Sequence, residues 1–98
     1  MVTLFGLIDK IKVRPALYIG KKSIFCLQAY IMGFSIEKLE NLKILQEFQH
    51  YIEREYEIES SHSWASIIFF FSEDECEALE LFFDEFDKFK LKHQLFEE

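Results

Sequence analysis

Residues 72–87, SEDECEALELFFDEFD, constrain this chain more than any other stretch, because they set eight carboxylates and several large apolar side chains on one helical repeat. At about 100° per residue, Cys76, Leu79, Phe82, Phe83 and Phe86 fall on one side, the period of an amphipathic helix laid against a core. Asp74, Glu77, Asp84 and Glu85 are expected to project from the opposite side, flanked by Glu73 and Glu80, around one outward leucine, Leu81. Solvation is the ordinary role of such a face. The sharper expectation is an acidic docking surface with an apolar centre.

Composition favours the second. Eighteen acidic against eleven basic residues give a formal charge of -7 on 98 residues. Nucleic acid would be repelled, since phosphate contacts need a basic stripe, and the clustered cations are only Lys10, Lys12 and Arg14, with Lys21 and Lys22 nearby. An anionic membrane surface is disfavoured on the same ground. A basic protein would be attracted, and its encounter accelerated by long-range steering.

Ninety-eight residues make one domain, residues 1–98, with a core large enough to be stable. Half the chain is apolar and twelve residues are Phe, so burial can offset chain entropy without disulfides or metal. So many aromatics in so small a globule also predict that some reach the surface as an interface. Cys26 and Cys76 lie in apolar helical patterns, where free cysteine acts as a small buried hydrophobe. Two cysteines fifty residues apart, without CxxC spacing, suit a reducing cytoplasm. MVTLFGLIDKIK carries charges too early for a signal segment, and no apolar run approaches the ~20 residues that span a bilayer. The expected location is cytoplasmic.

Thr3 can cap a helix from Leu4 to about Lys12, with Leu4, Leu7, Ile8 and Ile11 on its inner side. Pro15 disfavours helical geometry at Arg14, and Gly20 closes the corner RPALYIG, where Leu17 and Tyr18 are expected to insert into the core. Ser23 caps a second helix through Met32 or Phe34, with Ile24, Leu27, Tyr30, Ile31 and Phe34 at helical spacing. Ser35 begins a short turn or helix through Leu39. Leu42, Leu45, Phe48, Ile52 and Tyr56 then mark a third long helix, closed by the polar stretch ESSHS at residues 59–63.

WASIIFFF, residues 64–71, fits a buried strand as well as a helix by periodicity alone. A capping Ser63 and the want of any partner strand favour helix. Ser72 then opens the acidic helix, with Glu75 at capping-box spacing, and that helix runs to Leu91 or beyond. The expected class is all-α, a single bundle of four to five helices; the alternative is α+β with one strand at 64–71.

Chemistry-bearing motifs are scarce. EFQH, residues 47–50, has the carboxylate-imidazole spacing of di-iron bundles but lacks the second such pair. His62 and His93 fall outside ligand spacing, so neither metal nor cofactor is expected. Carboxylates are too many for any one to mark a general acid or base. No catalytic residue is assigned, and the chain is not expected to be an enzyme.

KIKVRPALYIGKKS resembles the RPGMYIG segment of the ATP-binding domain of type II topoisomerase B subunits. The following helix, SIFCLQAYIMGF, departs from that family: it lacks the acid and the asparagine needed for water activation and magnesium. A second resemblance covers almost the whole chain. Arg14, Pro15, Tyr18, Gly20, Ser23, Trp64, Ser72, Glu75, Ala78, Phe82 and Phe83 occur in an order similar to that of small immunity proteins of bacterial contact-dependent growth inhibition and polymorphic-toxin systems.

That resemblance implies a cytoplasmic inhibitor of a cognate toxin, without catalytic residues, and a structural role for Arg14, Pro15, Tyr18, Gly20 and Trp64. The acidity fits a basic nuclease as partner, an RNase or tRNase domain whose substrate site is occluded, with a host factor as possible third member. Candidate toxin-binding residues are Asp74, Glu77, Glu80, Leu81, Asp84 and Glu85, with Glu53 and Glu57 in a competing stretch that also contains Glu55 and Glu59. Leu81, Tyr51 or Tyr56 would be the desolvated anchors. A non-enzymatic adaptor that holds its partner through exposed aromatics is the alternative.

Overall fold

A computed structural model describes residues 3–58 and 62–93. Among these are six helices and no strand: α1 (Leu4–Val13), α2 (Pro15–Ile19), α3 (Ile24–Ser35), α4 (Leu39–Glu55), α5 (Trp64–Phe70) and α6 (Glu75–His93). The all-α expectation holds, and the ambiguous WASIIFFF segment is helical. The count exceeds the expected four to five because the corner is itself a helix, α2, where Pro15 at the first helical position permits a single turn.

Local chemistry fixes the ends. Thr3 Oγ1 accepts the Gly6 N–H at 3.0 Å and starts α1. Arg14, at φ −139° and ψ 74°, breaks it before Pro15, and Gly20 at φ 81° turns the chain out of α2. Leu17 does not insert as expected. It is 71% exposed, because a one-turn helix can press only one side inward, and that side is taken by half-buried Tyr18 and Ile19. Tyr18 meets Tyr30 edge-on at 6.5 Å, and Tyr30 is therefore at the surface, not in the core.

Ser23 Oγ accepts the N–H groups of Phe25 and Cys26, and its hydroxyl donates to Glu75 Oε1, which clamps the start of α3 to the start of α6. Ser35 is the last residue of α3 and also starts the expected turn, its carbonyl accepting the Lys38 N–H at 2.9 Å before α4 begins at Leu39. The expected capping box of Ser72 and Glu75 is displaced by two residues. Ser72 Oγ donates to the Ile68 carbonyl at 2.8 Å and Glu75 is drawn to Ser23, so the cap falls to Asp74, whose Oδ1 accepts the Glu77 N–H at 2.8 Å. The expected loop at residues 59–61, Glu59 included, and any extension of α6 past His93 lie outside the described residues.

Five of the six helices send side chains into one core. Phe48 of α4 is its hub: fully buried, it touches the rings of Tyr51, Trp64, Phe82, Phe86 and Phe89 at centroid distances of 5.3–6.2 Å. Four of the five contacts are edge-on, the arrangement that sets positive ring edges against negative faces. α1 closes the far side through Phe5 on Phe86 and an exposed Lys12–Asp87 bridge at 2.8 Å.

Trp64 starts α5 in contact with Phe48 and Phe82. Its backbone N–H donates to Gln49 Oε1 at 2.6 Å, while Gln49 Nε2 donates to Glu53 and to the His62 carbonyl, both at 3.0 Å. One side chain of α4 thus fixes how α5 enters. Neither cysteine is buried as expected: Cys26 is half-buried and Cys76 exposed, both as free thiols. Cys76 sits in the first turn of α6, where the helix has only begun to meet the core.

Candidate functional site

The acidic residues of α6 do not form one outward face. Asp74 and Glu77 are exposed at its start, where the helix dipole favours negative charge, and Glu77 Oε1 also accepts the Glu73 N–H at 2.8 Å. Glu80 turns toward the basic corner, sharing a small cavity of about 210 Å³ with Lys12, Lys22, Cys76 and Phe83. Asp84 is exposed and helps Asp87 and Asp9 hold the Lys12 ammonium in its charged form.

Two expected members of that face are elsewhere. Glu85 is buried, 7% exposed, with Oε2 accepting the Tyr56 hydroxyl at 2.7 Å. It lies three residues after Phe82 and four before Phe89, both fully buried, so helix geometry places it at the edge of the inward arc. Leu81 is half-buried against the core instead of standing outward. Tyr51 is buried among Phe48 and Phe89 and is not available as an anchor, while Tyr56 is half-buried.

Burial pushes the Tyr56 phenol well above the ordinary tyrosine range, and the hydrogen bond to Glu85 adds to it. Burial also raises Tyr51, helped by the charges of Glu55 and Glu85. Both phenols therefore hold their protons more tightly folded than unfolded. Stability from this source is fully present below about pH 10 and falls as pH rises beyond it. Urea midpoints measured from pH 8 to 11.5 are expected to decline above pH 10, and Tyr56→Phe to decline less steeply than wild type over that span.

The feature that stands out at the surface is aromatic. Phe70 is 76% exposed, Phe71 48%, and Phe25 and Phe69 each 37%. Phe25, Ile58, Ser66, Phe69, Phe70 and Ser72 line an open groove of about 600 Å³, with His62 and Ile67 completing it. Phe25 braces Phe69 edge-on at 5.3 Å, Phe71 stacks on Tyr56 at 4.9 Å, and Phe70 meets Phe71 edge-on at 5.1 Å. The rings are held by one another and by two other helices.

Each of the two acidic stretches that compete in the sequence adjoins one residue of this lining. Ile58 brings the end of α4 to one side, with Glu53 and Glu57 lining an adjoining cleft of about 440 Å³ with Arg54 and Ile58. Ser72, on the groove wall, is followed in the chain by the exposed carboxylates Glu73, Asp74 and Glu77. Glu57 adopts φ 53°, the left-handed conformation that closes a helix, with its N–H donating to the Arg54 carbonyl and that of Ile58 to Glu53. Glycine takes this conformation without strain; a glutamate there costs ~1 kcal/mol. The turn directs Ile58 into the groove and leaves Glu57 exposed in the adjoining cleft.

Arg14, Pro15, Gly20 and Tyr18 form the corner between α1 and α3, and Trp64 stands in the core. Glu47 and His50 are both exposed on α4. Among the described residues no group of His, Cys, Asp or Glu is placed to hold a metal ion, and no helix is long and apolar enough to cross a membrane. Sequence reasoning anticipated exposed aromatics without locating them. The signal was the run Phe69-Phe70-Phe71 at the end of a seven-residue helix, since one helix face cannot bury three consecutive side chains. No protein-family model, curated protein or solved structure matches this chain.

Proposed function

We propose that this chain is a non-enzymatic inhibitor of immunity-protein type that binds a basic nuclease toxin in the cytoplasm and keeps it from RNA or DNA. One observation carries the reading: an uncovered aromatic groove whose lining residues Ile58 and Ser72 are followed or preceded in the chain by the exposed carboxylates Glu57, Glu73 and Asp74, on a protein of net charge -7. Apolar groups of this kind supply most of the affinity of protein interfaces, and rim charges set the encounter rate and exclude wrong partners. The contact residues are Phe70 and Phe71 as anchors with Glu53, Glu57, Glu73, Asp74 and Glu77 around them; Glu80 and Asp84 are farther along α6. Glu85 and Tyr51 take no part, being buried. Occlusion needs no catalytic group on the inhibitor, and a host factor could join on the faces left open.

The test pairs the purified chain with the toxin domain encoded beside it. Stoichiometric protein is expected to stop cleavage of RNA or DNA by that domain. Glu57→Lys with Glu73→Lys and Glu77→Lys is expected to slow association by about tenfold or more at low salt and to flatten its salt dependence. Nuclease activity untouched by excess wild-type protein would end the reading. Exposure of Phe70 to 76% also favours a second reading, an adaptor that joins two proteins of its own cell; binding to a non-toxic partner through the same rings, without nuclease inhibition, distinguishes it.

A further inference from the structure

Resting on the reading of this surface as a protein-binding site, we infer that the groove between Phe25 and Phe70 receives a projecting segment of the partner in which one large apolar side chain is bracketed by lysine or arginine. Shape points first in this direction. A concave surface cannot plug a concave substrate cleft; it encloses something that protrudes. The groove floor is apolar, from Phe25, Ile67 and Phe69, and the polar residues lining it are Ser66, Ser72 and His62.

Charge fixes the flanks of the occupant. Within residues 53–58 and 72–77 there are seven carboxylates and one cation, Arg54. An apolar side chain entering alone would leave Glu57, Glu73 and Asp74 to be desolvated without compensation, whereas flanking cations pair with them. Glu57, exposed in the adjoining cleft, holds a backbone conformation that glycine would take with less strain. Anionic lipid and nucleic acid are repelled by the same groups.

A second copy of the chain is the competing occupant. The corner around Val13 and Leu17, 76% and 71% exposed, lies among Lys10, Lys12 and Arg14 and carries the same chemistry. Two considerations oppose it. Copies of net charge -7 repel, and a head-to-tail contact of unlike surfaces closes into a ring or grows into a filament.

Panning a random library of displayed dodecapeptides against the full-length chain tests the inference without knowing the partner. Enriched families are expected to share an aromatic or aliphatic residue with Lys or Arg within a few positions on both sides. Their synthetic members are expected to bind at least about tenfold more weakly to Phe70→Ser and to the Glu57→Lys, Glu73→Lys pair. All three sites are exposed, so the melting temperature should hold; if Phe70→Ser unfolds, the charge pair carries the test. Failure to enrich any family, enrichment of acidic or uncharged peptides, or binding indifferent to both variants overturns the proposal. So do dimers in sedimentation that Phe70→Ser dissolves, and binding to phosphatidylserine vesicles. A toxin neutralised equally well by Phe70→Ser removes the groove and leaves the immunity reading; groove-dependent peptides with no toxin neutralised do the reverse.

Discussion

Phe48→Ala is expected to lower the free energy of unfolding by about 3–5 kcal/mol, a large share of the ~5–15 kcal/mol typical of a domain. The reason is connectivity more than size. Phe48 is fully buried and touches one ring on its own helix, one on α5 and three on α6, so truncation opens a cavity where three helices meet. Because those helices are tied to each other elsewhere, the space cannot close by a simple shift. Urea denaturation followed by far-UV circular dichroism measures the effect, and Phe48→Met should cost well under half as much, since it keeps most of the volume. A loss below ~1.5 kcal/mol for the alanine variant would show that the rings around Phe48 repack freely and that it is not the hub.

Tyr56→Phe is expected to destabilise by about 1–3 kcal/mol although it deletes a single oxygen, because Glu85 Oε2 then loses its donor at a buried position. Glu85 is poorly provided for already: Oε1 has no hydrogen-bond partner among the described residues. Replacing the acid removes the problem at its source. Glu85→Leu should be close to neutral, and Tyr56→Phe combined with Glu85→Leu should recover most of the loss or exceed wild-type stability, as apolar replacements of buried polar pairs often do. The four proteins form a double-mutant cycle whose coupling term isolates the pair. Additive effects would mean that the hydroxyl and the carboxylate do not interact.

The helical scaffold was legible where one periodicity ran for more than two turns, as from Leu4 to Ile11 behind the Thr3 cap and from Leu42 to Ile52. The cap of α6 was misassigned because two competitors are distant in sequence: Ser72 serves the end of α5, and Glu75 serves Ser23. Glu85 was assigned outward from its charge, yet its spacing from Phe82 and Phe89 argued inward. When the two disagreed the wheel decided, with Tyr56 available to receive the carboxylate. The groove was the least legible feature. Its walls come from α3, the end of α4 and α5, and only tertiary packing brings Phe25, Ile58 and Phe70 to one place.

The position of Trp64 has a practical consequence. It is the chain's single indole, shielded between Phe48 and Phe82 at the opposite end of α5 from Phe70. Its emission should be blue-shifted in the native protein and move to the red when the interior is wetted, with no second fluorophore of its kind to confuse the signal. Excited selectively, this one residue separates a variant that has lost its partner from a variant that has lost its fold.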